Sequence, residues 1–298
     1  MVLLPMISVR SFAKLNIALD VLDKRPDGYH NIESVIQTIS LHDEMTIALR
    51  DGVGVSVRVS DPKVPPGEGN LAYKACVLFI EGVGPGLGVD IDIDKRIPMQ
   101  AGLGGGSSNA AAALTGMNEL LGRPLDRAAL LNMAATLGSD VPFFLTGGTA
   151  RVCGRGEIVS PLPECGFDYV VIKPDFGIST AWAYGQLSDG RTPVSASHSV
   201  EAAIRASDRG RVSRVMSNDF TEVAKLAYAE VTQIRDDLAQ HGTDSSMLAG
   251  SGSAVFGMFL DGMKCDSAYE ALRSKYSRVF RARTVMREEL RPGEFAPE

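Results

Sequence analysis

Residues 98–114 read PMQAGLGGGSSNAAAAL, with Gly102, Gly104, Gly105 and Gly106 packed around Leu103 directly before an alanine-rich run. Glycines that open onto a helix leave backbone N–H groups unshielded by side chains. The unpaired donors and positive dipole end of the helix favour an anion at the same place. Phosphate is the anion this arrangement suits, and a flexible connector would need no such run joined to a Ser-Ser helix start. The loop is not of the Walker A kind, because no Gly-Lys-Ser/Thr follows and residues 107–121 contain no Lys. A dinucleotide fingerprint is the rival, with Gly102, Gly104 and Glu119 in loosely suitable places. Against it, the third glycine position is Ser107, and the preceding stretch, VDIDIDKRIP at 89–98, alternates with Asp where a central parallel strand would be apolar on both faces.

Upstream of that half-exposed strand, ISVRSFAKLNIALDV at 7–21 alternates well enough for a strand. DKRPDGYH at 23–30 then places Pro, Asp and Gly in succession, a turn before a second strand. Within 44–59, TIAL and VSVRV flank a Gly-containing turn and predict a hairpin. A Pro/Gly-rich loop over 62–69 leads to Asn70, an N-cap for a helix over LAYKACVLFIEG. Downstream, the alanine-rich helix starts at its Ser pair, Asp126 caps a second helix ending near Leu137, and GGTARVCGRGEIVSPL reads as a hairpin turned at Gly154 to Gly156. From about Leu162 the pattern restarts with the strand DYVVIKP. Helices are predicted around Ala181 and Val200, separated by the polar loop SDGRTPVSASHS, and one longer helix over Asp219 to Leu238. SAVFGMFL, DSAYEALRSKY and RVFRARTV then read strand, helix, strand, and RPGEFAPE a frayed tail. Strands in hairpins and helices in pairs predict an α+β fold of two domains, 1–158 and 159–298, joined near residues 155–165.

The 298 residues suit one large or two medium domains. The net charge of −6, without a long block of either sign, disfavours a nucleic-acid partner. No apolar run is long enough to span a bilayer, and MVLLPMISVR is too short and Pro-interrupted for a signal peptide. Cys76, Cys153, Cys165 and Cys265 are scattered without a CxxC, which predicts free thiols in a reducing cytosol rather than a zinc site. The expectation is a soluble cytoplasmic protein.

A second glycine loop, LAGSGSAVFGMF at 248–259, is by itself equally a turn. With the first, it suggests that both walls of a cleft contribute backbone donors. Three polar residues are candidates for chemistry, each with a plainer alternative. Lys14 is the only Lys in the first strand, though most lysines are solvated. Asp140, in LGSDVPFFL, can equally be a helix cap or turn carboxylate. His30, after Asp-Gly-Tyr, can be a turn histidine without further duty. Spacing alone cannot bring the three together.

The PMQAGLGGGSSNAAAAL segment resembles the central motif of the GHMP kinases, the superfamily of galactokinase, homoserine kinase and mevalonate kinase. AKLNIALDVLDKRPDGYHNIESV at 13–35, LGSDVPFFLTGGTARVCGRGE at 137–157 and LAGSGSAVFGMF follow in the order of the branch acting on a cytidine-diphosphate substrate, and RPDGYH with GSDVPFF narrows the match to it. The resemblance implies a GHMP kinase fold: an N-terminal domain like the second domain of ribosomal protein S5, a ferredoxin-like C-terminal domain, and an active site between them. It implies ATP-dependent phosphorylation of the 2-hydroxyl of 4-diphosphocytidyl-2-C-methyl-D-erythritol, in the non-mevalonate route to isoprenoids. Asp140 is then the general base and Lys14 its partner, stabilising developing alkoxide and phosphoryl charge. Pro98, Gly102, Leu103, Gly104, Gly105, Gly106, Ser107 and Ser108 would wrap the ATP phosphates, with a hydroxyl of Ser107 or Ser108 available to Mg2+. Tyr29, His30 and Tyr184 would hold the cytosine, Asn16 the methylerythritol hydroxyls, and Gly250, Ser251 and Gly252 would close over phosphate or substrate. Gln100 departs from the Gly or Ala usual in the family there, and would alter the approach to adenosine. Homoserine-type and mevalonate-type kinases are the alternatives within the superfamily. An RNA-binding S5-like module and a dinucleotide-dependent oxidoreductase are the alternatives outside it.

Overall fold

A computed structural model describes residues 5–84, 86–187 and 195–290. The chain begins with two long strands, β1 (Met6–Lys24) and β2 (His30–Arg50), then β3 (Gly54–Val59), α1 (Leu71–Val83) and β4 (Gly88–Asp94). Helices α2 (Gly105–Leu120), α3 (Arg127–Leu137) and α4 (Val141–Thr146) follow, and then β5 (Thr149–Cys153) and β6 (Ile158–Pro161). The remainder comprises β7 (Asp168–Ile172), α5 (Thr180–Gly185), α6 (Ala196–Arg205), α7 (Arg209–Val215), α8 (Asp219–Ala227) and α9 (Ala229–Gln240). It ends with β8 (Ser245–Leu248), β9 (Val255–Phe259), α10 (Gly262–Leu272) and β10 (Val279–Arg283).

The first sheet runs β3-β4-β2-β5-β6, with β1 antiparallel along the free side of β2. At 21 residues, β2 is long enough for its other side to take β5 at Ser34–Gln37 and β4 at Glu44–Arg50, end to end. The second sheet is antiparallel in the order β10-β7-β9-β8. Counted within this sheet the order is 4-1-3-2, with helices inserted after its first and third strands, which is the ferredoxin-like arrangement. The α+β class and the two-part architecture implied by the resemblance are therefore present. The change of sheet falls between Pro161 and Asp168, but the chain end returns to the first sheet. Ile39 bridges to Thr284, and the Arg287 guanidinium donates to the carbonyls of Gly147 and Thr149. Between the sheets one apolar cluster joins Leu15, Ile17 and Val35 of the first to Tyr169, Phe256 and Met258 of the second.

Several elements differ from expectation. The predicted hairpin over 44–59 does not pair with itself, because β4 lies between β2 and β3, parallel to β3. The alternation of β4 explains the insertion: Val89, Ile91 and Ile93 are buried, while Asp90 meets Arg50 of β2 at 3.0 Å and Asp92 meets Arg58 of β3 at 2.6 Å. Its outer face thus pairs charges with both neighbours. The predicted single helix over 219–238 is two, broken at Tyr228, whose extended backbone (φ −133°, ψ 97°) carries a ring stacked on Phe176 at 4.6 Å. Strand β8 and helix α7 were not anticipated. Asn70 and Asp126 cap α1 and α3 as expected, by accepting from the backbone N–H of Ala72 and Ala129. Most of the SDGRTPVSASHS loop and the RPGEFAPE tail lie outside the described residues.

Candidate active site

A cleft of about 910 Å³ is lined by β1, the glycine loop before α2, the start of α4, α5 and the loop after β8. Lys14 and Asn16, two residues apart on β1, share one face of the strand. The β1–β2 register shifts on either side of them, between Phe12 and Ala13 and between Asn16 and Ala18. Such bulges re-aim side chains. Lys14, 5% exposed, donates to Asn16 Oδ1 at 2.6 Å, and Asn16 Nδ2 donates to Ser34 Oγ at 2.9 Å. Across the cleft floor the Lys14 ammonium lies 3.6 Å from Asp140 Oδ2. Asp140 occupies the N-cap position of α4, yet its carboxylate makes no capping hydrogen bond. It faces Lys14 and the cleft instead, which removes the plainer reading of this residue as a cap.

The two glycine loops meet at this floor. Ser253 N–H donates to Gln100 O and Ala254 N–H to Ala101 O, both at 3.2 Å, and Lys14 N–H donates to Leu103 O at 3.0 Å. Gly102 (φ 74°) permits the approach, since a Cβ there would lie 1.8 Å from the Ala249 carbonyl oxygen. Gly104 (φ 72°) forms the entry to α2, and a Cβ on it would meet the Phe144 ring at 2.6 Å. Helix α2 therefore starts at Gly105, two residues before the expected Ser pair. The N–H groups of Gly105, Gly106 and Ser107, in its first turn, have no partner within the helix. Gly102, Gly104 and Ser107 line the cleft, as do Gly250 and Ser251. Ser108 does not: it is 3% exposed and accepts from Ser11 Oγ at 2.8 Å, turned away from the cleft. Leu103 is likewise buried, in the apolar cluster between the sheets. Pro98 and Gly252 in the loops, and Gly105 and Gly106 in the first turn of α2, do not line the cleft itself. The Gln100 side chain lies against Gly177, where a Cβ would come within 2.3 Å of its Oε1.

The far end of the cleft is aromatic. His30 stacks on Tyr184 with ring centroids 5.1 Å apart, and Tyr184 sets its edge against Phe220 at 4.9 Å. Burial, with the Asp140 carboxylate as the lesser cause, pushes the Tyr184 phenol up to about 12, so it stays protonated at neutral pH. Tyr29 is 57% exposed at the rim, with the Arg155 guanidinium 5.2 Å from its ring centre. One cleft thus brings together Lys14, Asn16, Asp140, Tyr29, His30 and Tyr184.

Sequence reasoning missed several contributors. Lys24 and Arg155 add cations near Tyr29, and Thr180 meets Ser251, hydroxyl to hydroxyl, at 2.9 Å. Arg155 is the middle residue of the Gly154 to Gly156 turn, whose glycines concealed a side chain reaching the cleft. Asp43, fully buried, anchors both ends of the first glycine loop. It accepts from Lys95 Nζ at 2.7 Å, the N–H groups of Arg96 and Ile97 at 2.8 and 2.7 Å, and Asn109 Nδ2 at 2.8 Å. Burial lowers the Lys95 ammonium despite that partner. No pattern in SLHDEM signals this role. Among the described residues no group of three or more His, Cys, Asp or Glu could hold a metal ion.

Chemically, the site offers a carboxylate before α4 beside a buried ammonium on β1, and unpaired N–H donors at the start of α2 in the same cleft. An aromatic compartment completes it at a distance. Comparison with known proteins adds to this. The description "GHMP kinases N terminal domain" matches residues 70–148, and "GHMP kinases C terminal" matches 200–278. A 4-diphosphocytidyl-2-C-methyl-D-erythritol kinase of Acetivibrio thermocellus is 39% identical over 283 residues, covering 94% of this chain and 99% of its own. One from Pelotomaculum thermopropionicum is 42% identical over 253 residues, covering 84% and 88%. A crystal structure of a 4-(cytidine 5'-diphospho)-2C-methyl-D-erythritol kinase superposes with a TM-score of 0.79 at 32% identity, over 93% of this chain and 98% of that one. A homoserine kinase from Cytophaga hutchinsonii shares the fold, with a TM-score of 0.76 at 18% identity over 95% of each chain.

Proposed function

Because the chain belongs to the GHMP kinases, and within them to the 4-diphosphocytidyl-2-C-methyl-D-erythritol kinases, we propose that its cleft transfers the γ-phosphoryl group of ATP to the 2-hydroxyl of that cytidine-diphosphate substrate. The observation that carries this reading is one continuous cleft with Lys14 and Asp140 on its floor and His30, Tyr184 and Tyr29 at its far end. Asp140 accepts the hydroxyl proton as the P–O bond forms, since an alcohol is a poor nucleophile while it keeps that proton. Lys14, held by Asn16, stabilises charge on the attacking oxygen and on the phosphoryl group in transit. No covalent intermediate is required, because phosphoryl transfer depends chiefly on positioning and electrostatics.

The first-turn N–H groups of α2 receive the ATP phosphates. Mg2+ would neutralise charge on the phosphate oxygens. With no protein cage of carboxylates among the described residues, the donor set suits an ion that keeps phosphate and water ligands, with the Ser107 hydroxyl the protein group to hold it. His30 and Tyr184 offer a ring face and a polar edge for cytosine, and Tyr29 a second ring. Lys24 and Arg155 supply the cations that a diphosphate needs at that end. We place the reaction in the cytoplasm, where Cys76, Cys153, Cys165 and Cys265, all free thiols here, would stay reduced.

The test is ADP release with ATP and Mg2+ on adding the cytidine-diphosphate methylerythritol, with homoserine and mevalonate as controls. Turnover of the first and neither control is expected. Turnover of a control alone would overturn the substrate assignment.

A further inference from the structure

Lys173, the residue after β7, is 3% exposed, and its partners are carbonyls rather than carboxylates. Its ammonium donates to Pro174 O and to Phe176 O, each at 2.7 Å, while its own backbone N–H donates to Arg278 O at 2.9 Å. The Phe176 carbonyl is shared, because Ser253 Oγ donates to it at 2.5 Å. Ser253 also gives its backbone N–H to Gln100 O. A chain of hydrogen bonds therefore runs from Lys173 through the 174–179 turn to the second glycine loop and on to the first. That turn also leads directly into α5, which carries Tyr184. Three walls of the cleft converge on one buried cation that touches none of the residues assigned to chemistry.

We propose that Lys173 is a positioning residue for phosphoryl transfer: by holding the Phe176 carbonyl, its ammonium sets the spacing of the two glycine loops across the cleft. Charge-assisted hydrogen bonds are about twice as strong as neutral ones, so the clamp depends on the proton. Burial, then the Arg278 guanidinium and more weakly Lys63, lowers Lys173 to about 8, with Asp175 and Glu230 opposing. Between about 8 and the ordinary 10.5, the folded chain has lost a proton that the unfolded chain retains. Over that window the Lys173 contribution to folding stability rises with pH, whereas the clamp weakens. A purely structural role and a positioning role thus move in opposite directions.

The inference rests on the kinase reading, and the experiment separates the two. For the wild type, kcat/KM with ATP and the cytidine substrate should fall on the alkaline side with an apparent pKa near 8, without loss of folded protein by circular dichroism. Lys173→Met should be lower by about 10-fold at pH 7, from misplaced loops, and lack that alkaline limb. Lys173→Arg, charged throughout, should retain most activity and also lack the limb. Hydrogen exchange of peptides spanning 98–108 and 248–254 should quicken in Lys173→Met, a readout independent of turnover. No wild-type turnover would sink the kinase reading. Wild-type turnover with an unchanged profile in either variant, or unchanged exchange in Lys173→Met, would overturn the role given to Lys173.

Discussion

Gly102 shows how a single residue can hold two loops together. Its φ of 74° lies where side chains are strained, and a methyl group would collide with the Ala249 backbone carbonyl, which already accepts from Gly252 N–H at 2.8 Å. Gly102→Ala should therefore part the loops and lower kcat/KM by about 100-fold, with a fall in melting temperature. Gly106 differs: a Cβ there would meet only Leu71 Cδ1, at an ordinary 3.7 Å. Gly106→Ala should melt like the wild type, and any loss of ATP affinity, measured by titration calorimetry, would report phosphate at that position. The sequence distinguished these glycines from ordinary turn glycines as a cluster, but not from one another. What separates them is contact with Ala249, nearly 150 residues away. Ser107 and Ser108 carry the same lesson, because they are chemically identical and adjacent, and only helix phase decides which one faces the cleft.

At the scale of elements, caps and alternation were legible because they are local. Asn70, Asp126 and the β5–β6 hairpin needed no tertiary information. The β2–β3 pairing was misread because β4 competes for the same edge, and its Asp residues find partners only in three dimensions. Helix α6 is a similar case. Its N-terminal donors, Ala196 N–H and Ser197 N–H, go to Asp20 of β1 at 3.2 and 2.8 Å, and Ser197 Oγ adds a third bond at 2.5 Å. Asp20 thus acts as a cap supplied from 176 residues away, holding the helix against β1. Asp20→Ala should destabilise the protein by about 1–3 kcal/mol, read from urea unfolding, with faster hydrogen exchange over 196–205. An unchanged midpoint would show that packing alone docks the helix.

At the scale of the whole molecule, two sheets share one apolar cluster, and the cleft opens where β1 of the first meets the loops of the second. That meeting explains why Lys14, Asp140 and His30 could not be brought together from spacing. Each sits on a recognisable turn or strand, but their proximity depends on how the sheets pack. The family resemblance supplied the grouping, while the residues alone carried the phosphate loop and the α+β class. A chain of net charge −6 nevertheless lines this cleft with Lys14, Lys24 and Arg155, the local cations on which the proposed polyphosphate site would rely. The central claim is that Asp140 takes the proton of a substrate hydroxyl while the cleft binds ATP without its help. The most direct test is 31P NMR of ATP, Mg2+ and the cytidine-diphosphate methylerythritol with wild type and with Asp140→Asn. The wild type should form ADP and one new phosphomonoester. Asp140→Asn should form both at least about 100-fold more slowly at unchanged ATP affinity. A phosphomonoester at the wild-type rate from Asp140→Asn, or ADP without any phosphomonoester from the wild type, would contradict the account.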